Sequence, residues 1–224
     1  MRRFARAALL ALACAASTTS FSASPEVVPV VVGADAQLIA FLTSTQSLRA
    51  QFEHQQMNPS GRVMRFFGVV SAKRPGLFRW EVRKPYAQLQ LIRDGELLLY
   101  DPDLAQLSIR RLDASVMGTP AGLFLLSGAD AAQALETQFV VQNLEPREGL
   151  TWVSLRPRLP DSATQLIEVG LDAQGRLSRL EVTDALGRKS VVRLSQIEVN
   201  PVLPAALFSF KPPAGTEVLR PSQP

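Results

Sequence analysis

The sequence predicts a mainly β fold, an antiparallel meander with a few short helices. Short runs rich in β-branched and aromatic residues recur along the chain, separated by Gly, Pro and Asp signals. Strands do not alternate with long helices and no internal repeat is visible, which argues against parallel α/β and solenoid architectures. Within Leu77 to Arg83, Phe78, Trp80 and Val82 share one face while Arg79, Glu81 and Arg83 share the other. One side of the sheet is therefore apolar and the other wet.

The chain opens with a segment of different character. Across residues 1–22, Arg2, Arg3 and Arg6 form a basic start, and Ala7 to Ala16 form an apolar run too short for a membrane-spanning helix. This reads as a secretory signal, so the mature protein is expected outside the cytoplasm. Taking those three arginines from the 24 basic residues leaves 21 against 20 acidic ones, because no acid precedes Glu26. The basic balance then gives no argument for nucleic acid.

Cys14, the only cysteine, lies inside this segment. It reads as a small residue of the signal core or as a lipobox cysteine that would become an acylated anchor. Leu12 and Ala13 fit a lipobox, but Ala11 stands where a Leu is usual. With Cys14 removed, neither a disulfide nor a cysteine-ligated metal can support the fold. Residues 23–33 carry Pro25, Pro29 and a run of valines, which suits an extended lead-in. Residues 34–224 are expected to form a single domain.

From Asp35, a suitable N-cap, Leu38, Phe41, Leu42, Leu48 and Phe52 follow helical spacing, with Gln37, Gln46 and Arg49 opposite. This predicts an amphipathic helix over Asp35 to Ser47 that passes into a strand near Ala50. Strands are expected at Phe52–Met57, Val63–Val70, Leu77–Arg83, Leu89–Arg93, Leu97–Tyr100 and Leu107–Arg110. Asp94-Gly95 suits a tight hairpin, and Asp101-Pro102-Asp103 a turn with a preset φ.

Between Ala114 and Glu136 the β-branched residues almost vanish, and Pro120, Gly122 and Gly128 interrupt Ala- and Leu-rich runs. Short helices are expected over Ala121–Leu126 and Ala129–Leu135. Strands then resume at Phe139–Leu144, Thr151–Pro157, Gln165–Leu171, Leu177–Thr183, Lys189–Val199 and Leu207–Lys211, about a dozen in all. The helices are too short to cover the apolar face of such a sheet, which leaves room for a cavity with a lid.

Enzymatic chemistry finds little support. His54 is the only histidine and no Gly-x-Ser-x-Gly elbow occurs, so a hydrolase triad has poor material. His54 reads as a strand side chain at the surface or rim. Asp94, Asp101, Asp103 and Asp184 sit in turn contexts. No phosphate loop, no metal-ligand spacing and no basic stripe interleaved with aromatics is present. The expectation is a non-enzyme without metal or cofactor. Arg74 stands out, because it precedes a proline and a turn, and its guanidinium offers five donors to neighbouring carbonyls.

Several stretches resemble the LolA family of lipoprotein carriers. They include Ser47-Leu48-Arg49-Ala50-Gln51-Phe52, the run Lys73 to Glu81, Pro85-Tyr86-Ala87-Gln88, Tyr100-Asp101-Pro102-Asp103 with Gln106, and Thr119-Pro120. Trp152, Leu155 and Pro157 follow, then Asn200 with Leu203-Pro204 and the run Phe208 to Gly215. The likeness spans roughly Gln37 to Val218, and Arg-Pro-Gly-x-Phe-Arg-Trp-Glu is its most specific motif. His54 stands where a Gln is usual and Leu98 where an aromatic is common.

The resemblance implies an unclosed antiparallel β-barrel of about 11–12 strands with an apolar cavity under lid helices. By it, Arg74 is expected to latch the lid through hydrogen bonds to lid backbone, and Phe78, Trp80, Val82, Leu89 and Leu91 to wall the cavity. Leu38, Phe41, Leu42, Pro120, Leu123 and Leu126 are expected on the lid helices. The implied function is a periplasmic monomer that carries acylated lipoproteins from an inner-membrane ABC exporter to an outer-membrane receptor. Two variants of this reading are a carrier of another lipid, such as a glycolipid or polyene lipid, and an outer-membrane receptor anchored through Cys14.

Overall fold

Among the described residues twelve strands join into one sheet whose two ends remain unpaired with each other in the computed structural model. The structure describes residues 32–57, 61–112, 116, 120–125, 130–160 and 162–220. The segment expected to be a signal, with Cys14, nearly all of the expected lead-in, and Leu126 lie outside the described residues.

The first half of the chain gives β1 (Ser47–Met57), β2 (Val63–Lys73), β3 (Leu77–Lys84), β4 (Gln88–Arg93), β5 (Glu96–Asp101) and β6 (Gln106–Arg111). The second half gives β7 (Phe139–Arg147), β8 (Leu150–Pro157), β9 (Thr164–Leu171), β10 (Leu177–Asp184), β11 (Lys189–Val199) and the short β12 (Glu217–Leu219). Each half is an antiparallel meander, as short connections require. Pairing of β1 with β11 welds the halves together, and β12 adds to the edge of β6 as the parallel strand.

Among the described residues three helices accompany the sheet: α1 (Ala34–Ser44), α2 (Pro120–Leu125) and α3 (Ala131–Gln138). The helix expected over Asp35 to Ser47 ends earlier, because Ser47 already pairs with Lys73 on β2. Asp35 lies in the first turn rather than at the N-cap, where it exchanges hydrogen bonds with Asn143 of β7. Helix α1 packs over β7, β8 and β9 and against α3, whereas α2 packs on β3. Buried Leu38, Phe41 and Leu42 of α1 join Leu48, Phe52, Val153, Leu155, Ile167 and Val169 in the main core.

A second core occupies the opposite face of the sheet. Leu89, Leu91, Leu98, Leu107 and Ile109 point there, and Leu203 and Phe208 of the carboxy-terminal segment cover them. The ring of Phe210 lies 4.8 Å from that of Tyr100. This arrangement corrects the strand expected at Leu207–Lys211, which is a 3₁₀ turn (Ala205–Phe208) followed by irregular chain. Pro201, Pro204, Pro212 and Pro213 deprive the segment of ladder donors, so it contributes side chains instead of a strand.

The junction of α1 with β1 is held by Asn200, which sits at φ 59° just after β11. Its side-chain oxygen accepts from the N–H groups of Gln46 (2.6 Å) and Ser47 (3.3 Å), and its amide nitrogen donates to the carbonyl of Ser44 (3.1 Å). One side chain thus satisfies both a helix-end acceptor and the first donors beyond it.

Candidate functional site

The helices leave part of the concave face open, and there the structure has a cavity of about 410 Å³. Phe66 of β2, Phe78 and Trp80 of β3, and Phe124 of α2 give it an aromatic floor. Alternation along β3 places Phe78, Trp80 and Val82 on this side, as their spacing predicts. Phe124 reaches to 5.7 Å from Phe78, so α2 closes one wall of the cavity.

Trp80 is set by a stack beneath it. The Phe52 ring lies 3.7 Å from the Trp80 ring at an interplanar angle of 17°. That approach needs Gly68 on the intervening strand, because a Cβ there would fall 2.6 Å from the Phe52 ring and 1.9 Å from the carbonyl oxygen of Glu81. The glycine in β2 therefore makes room for an aromatic pair.

His54 belongs to the cavity wall, which corrects the expectation of a surface or rim position. Its ring lies 5.9 Å from Phe66 and edge-on to Trp80 at 6.2 Å. Its strand is central, between β2 and β11, and the pleat turns position 54 to the concave side. Burial pushes the imidazole below its ordinary value, so the ring is neutral at neutral pH.

Leu89 and Leu91 do not wall the cavity. On β4 the concave positions are Gln88, Gln90 and Ile92, and the two leucines face the second core. The physical reason is that the carboxy-terminal segment covers the face of β4 that carries the two leucines, so the strand's hydrophobic alternation reports that segment rather than the cavity. Gln88, Gln90 and Arg110 consequently form a polar lip on one side, with Gln56 and Ser190 on the other.

Arg74, at the connection between β2 and β3, donates through Nη1 to the main-chain carbonyl of Leu42. Leu42 lies in the last turn of α1, where carbonyls have no helical partner and no basic side chain of the helix itself is available. The backbone N–H of Arg74 also donates to the Gln46 carbonyl at 2.9 Å. Partial burial pushes the guanidinium below its ordinary value, but it stays charged. The buried hydroxyl of Thr45 borders the same junction and has no hydrogen-bond partner among the described residues.

Of the expected lid residues, Leu38, Phe41, Leu42 and Leu123 are buried in the main core, and Pro120 begins α2. The α2 residues that reach the cavity are Ala121 and Phe124. Among the described residues no cluster of His, Cys, Asp or Glu is arranged to hold a metal ion. No described helix is long and apolar enough to cross a membrane.

Residues 43–211 match the family described as outer membrane lipoprotein carrier protein LolA. The chain belongs to the LolA family. An outer-membrane lipoprotein carrier protein of Dechloromonas aromatica is 37% identical to it over 189 residues, covering 84% of this chain and 88% of the relative. Another of the same description, from Cupriavidus pinatubonensis, is 33% identical over 220 residues and covers 96% and 99% of the two chains. An uncharacterized conserved protein from Thermus thermophilus has a similar crystal structure, with a TM-score of 0.50 at 16% identity over 82% of this chain and 94% of that one. This last likeness concerns the fold alone.

Two contributors to the LolA-family site escape a reading of the sequence. Phe124 lies in a run too short for helical periodicity to orient it, and the clamp at Asn200 joins residues more than a hundred positions apart. Asn200 is among the residues that carry the resemblance, and a polar residue between strand and proline suits a turn former, but neither signal gives its partners.

Proposed function

We propose that the protein is a periplasmic carrier that holds the acyl chains of lipoproteins on the aromatic floor formed by Phe66, Phe78 and Trp80. The observation that carries this reading is an apolar cavity left open on the concave face of an unclosed sheet and walled on one side by α2. Membership of the LolA family and the names of its relatives support the same cargo.

Transfer energies shape how such a carrier works. Exposing a saturated chain costs about 0.8 kcal/mol per CH₂, so a chain of about sixteen carbons costs roughly 13 kcal/mol in water. Cargo must then pass between apolar surroundings without an aqueous intermediate. Pockets for drug-sized ligands have volumes of about 300–1,000 Å³. A cavity of about 410 Å³ lies near the lower end of that range, so a multiply acylated anchor requires the helices to move.

Arg74 is the latch in this reading. Its bond to Leu42 joins the β2–β3 connection to the end of α1 and favours the closed state, which cargo displaces. Cargo comes from an inner-membrane ABC exporter and goes to an outer-membrane lipoprotein receptor.

A second reading, the carriage of another amphiphile, is favoured by the polar lip. Gln90, Arg110 and His54 stand beside the aromatic floor and suit a lipid with a polar head. Native mass spectrometry of the protein mixed with a triacylated lipoprotein in detergent-free buffer separates the two. A soluble one-to-one complex is the expected result. Absence of that complex, with another lipid retained from the host, would establish the second reading instead.

A further inference from the structure

The register of the central strands carries the concave face beyond the aromatic floor. Pairing aligns Phe66, His54, Val192 and Leu180 in one row across β2, β1, β11 and β10. Directly paired residues share a face, so the next row on the concave side is Met64, Gln56, Ser190 and Val182. Its ends are apolar and its middle is polar.

A second cavity, of about 380 Å³, lies along this row. Gln56, Val182 and Ser190 line it and also line the cavity over the aromatic floor. The two spaces therefore adjoin at a shared wall, and their volumes, about 410 and 380 Å³, nearly match. Met57 and Met64 line the second space and not the first, and their flexible, polarisable side chains adapt to an occupant of variable shape.

The charges around the second space are largely paired. Arg188 donates to the Asp184 carboxylate at 2.6 Å, and that carboxylate also accepts from the N–H groups of Leu186 and Arg188, both at 2.9 Å. Lys189 can lay its methylene stem along the space and keep its ammonium in water. This balance selects an uncharged occupant. The side chains of Gln56 and Ser190, by contrast, make no hydrogen bond among the described residues, although they stand where the two spaces meet. Each offers a neutral donor that a carbonyl oxygen can accept. Two apolar spaces of near-equal size that meet at two such donors match a lipid whose chains diverge from carbonyl-bearing linkages.

We infer that the second cavity is a site for a second acyl chain of the same cargo lipid, and that Gln56 and Ser190 donate to the ester carbonyls where its two chains diverge. This rests on the carrier reading and deepens it, because the protein then distinguishes two-chain from one-chain lipids and ester from ether linkages. A third chain still requires the helices to move.

The test is fluorescence anisotropy of a labelled short peptide whose cysteine carries one palmitoyl chain or two, titrated with the processed, cargo-free protein. The two-chain peptide is made in an ester-linked and an ether-linked form. Met64→Trp, which fills the second space and leaves the aromatic floor in place, should weaken the two-chain ester about tenfold and leave the one-chain peptide unchanged. The Gln56→Leu, Ser190→Ala double variant adds no bulk to the site. It should weaken the two-chain ester about tenfold and leave the ether form unchanged. Equal losses for the one-chain and two-chain peptides in Met64→Trp, no loss for either, or an equal response of ester and ether in the double variant would overturn the inference. If the parent binds the peptides in those cases, the carrier reading stands; a parent that binds none of them overturns both.

Discussion

The Arg74 guanidinium caps helix α1 by donating to the Leu42 carbonyl, a contact between the start of a β-turn and a helix thirty-two positions earlier. A hydrogen bond from a charged donor contributes about 1.5–3 kcal/mol, enough to shift an open–closed ratio by about ten- to a hundredfold. Arg74→Leu should raise deuterium exchange in the last turn of α1 and slow cargo transfer, while unfolding shifts by no more than this amount. Arg74→Lys should recover only part of the transfer rate, since Lys lacks the planar fork. Transfer at the parental rate in Arg74→Leu would remove the latch role.

Gly68→Ala tests the aromatic floor from below. A Cβ placed 1.9 Å from the Glu81 oxygen and 2.6 Å from the Phe52 ring forces the strand or the Phe52–Trp80 stack to move. Overpacking of this kind costs about 1–3 kcal/mol. The denaturant midpoint should fall accordingly, and tryptophan fluorescence should change as the stack opens.

His54 makes the cavity sensitive to acid. Its folded pKa is depressed below the ordinary value of 6.5, so its contribution to stability is intact above that value. As pH falls from there toward the folded value, the unfolded chain binds the proton first and stability is lost. Retention of an apolar fluorescent probe should weaken as pH falls further, through the folded value, since an imidazolium beside Trp80 and Phe66 disfavours hydrocarbon. His54→Gln should flatten both profiles. Glu81 titrates lower: burial raises its carboxyl, and hydrogen bonds and charge from Arg79 and Arg83 outweigh that and hold it below the ordinary carboxylate range.

The two cores can be separated by a pair of substitutions. Leu91→Ala empties a fully buried site under the carboxy-terminal segment and should cost about 2–5 kcal/mol, with lipid binding per folded molecule unchanged. Trp80→Ala removes part of the cavity floor and should weaken lipid binding. If Leu91→Ala impaired binding as strongly as Trp80→Ala, the assignment of the two faces would be wrong.

Much of the molecule was legible in one dimension. Period-2 alternation at Phe78, Trp80 and Val82 located one face of the sheet, because a pleat must send neighbours to opposite sides. Asp94-Gly95 located a hairpin, as both residues adopt positive φ, 53° and 73°. Arg74 could be singled out by its place before a proline and by resemblance, but not its acceptor, since the Leu42 carbonyl becomes a neighbour only when α1 folds back over the sheet.

What the sequence by itself determined is local: strand order along the chain, turn chemistry, and which residues of a strand share a face. Tertiary structure decided which of two apolar faces encloses a cavity. Alternation assigns Leu89 and Leu91 to one side of β4 and Gln88 and Gln90 to the other, yet says nothing about which side is concave. That choice came from Leu203 and Phe208, about a hundred positions away, which bury the leucines and so turn the glutamines toward the cavity. Hydrophobic burial has no direction of its own, and only the full set of packed elements supplies one.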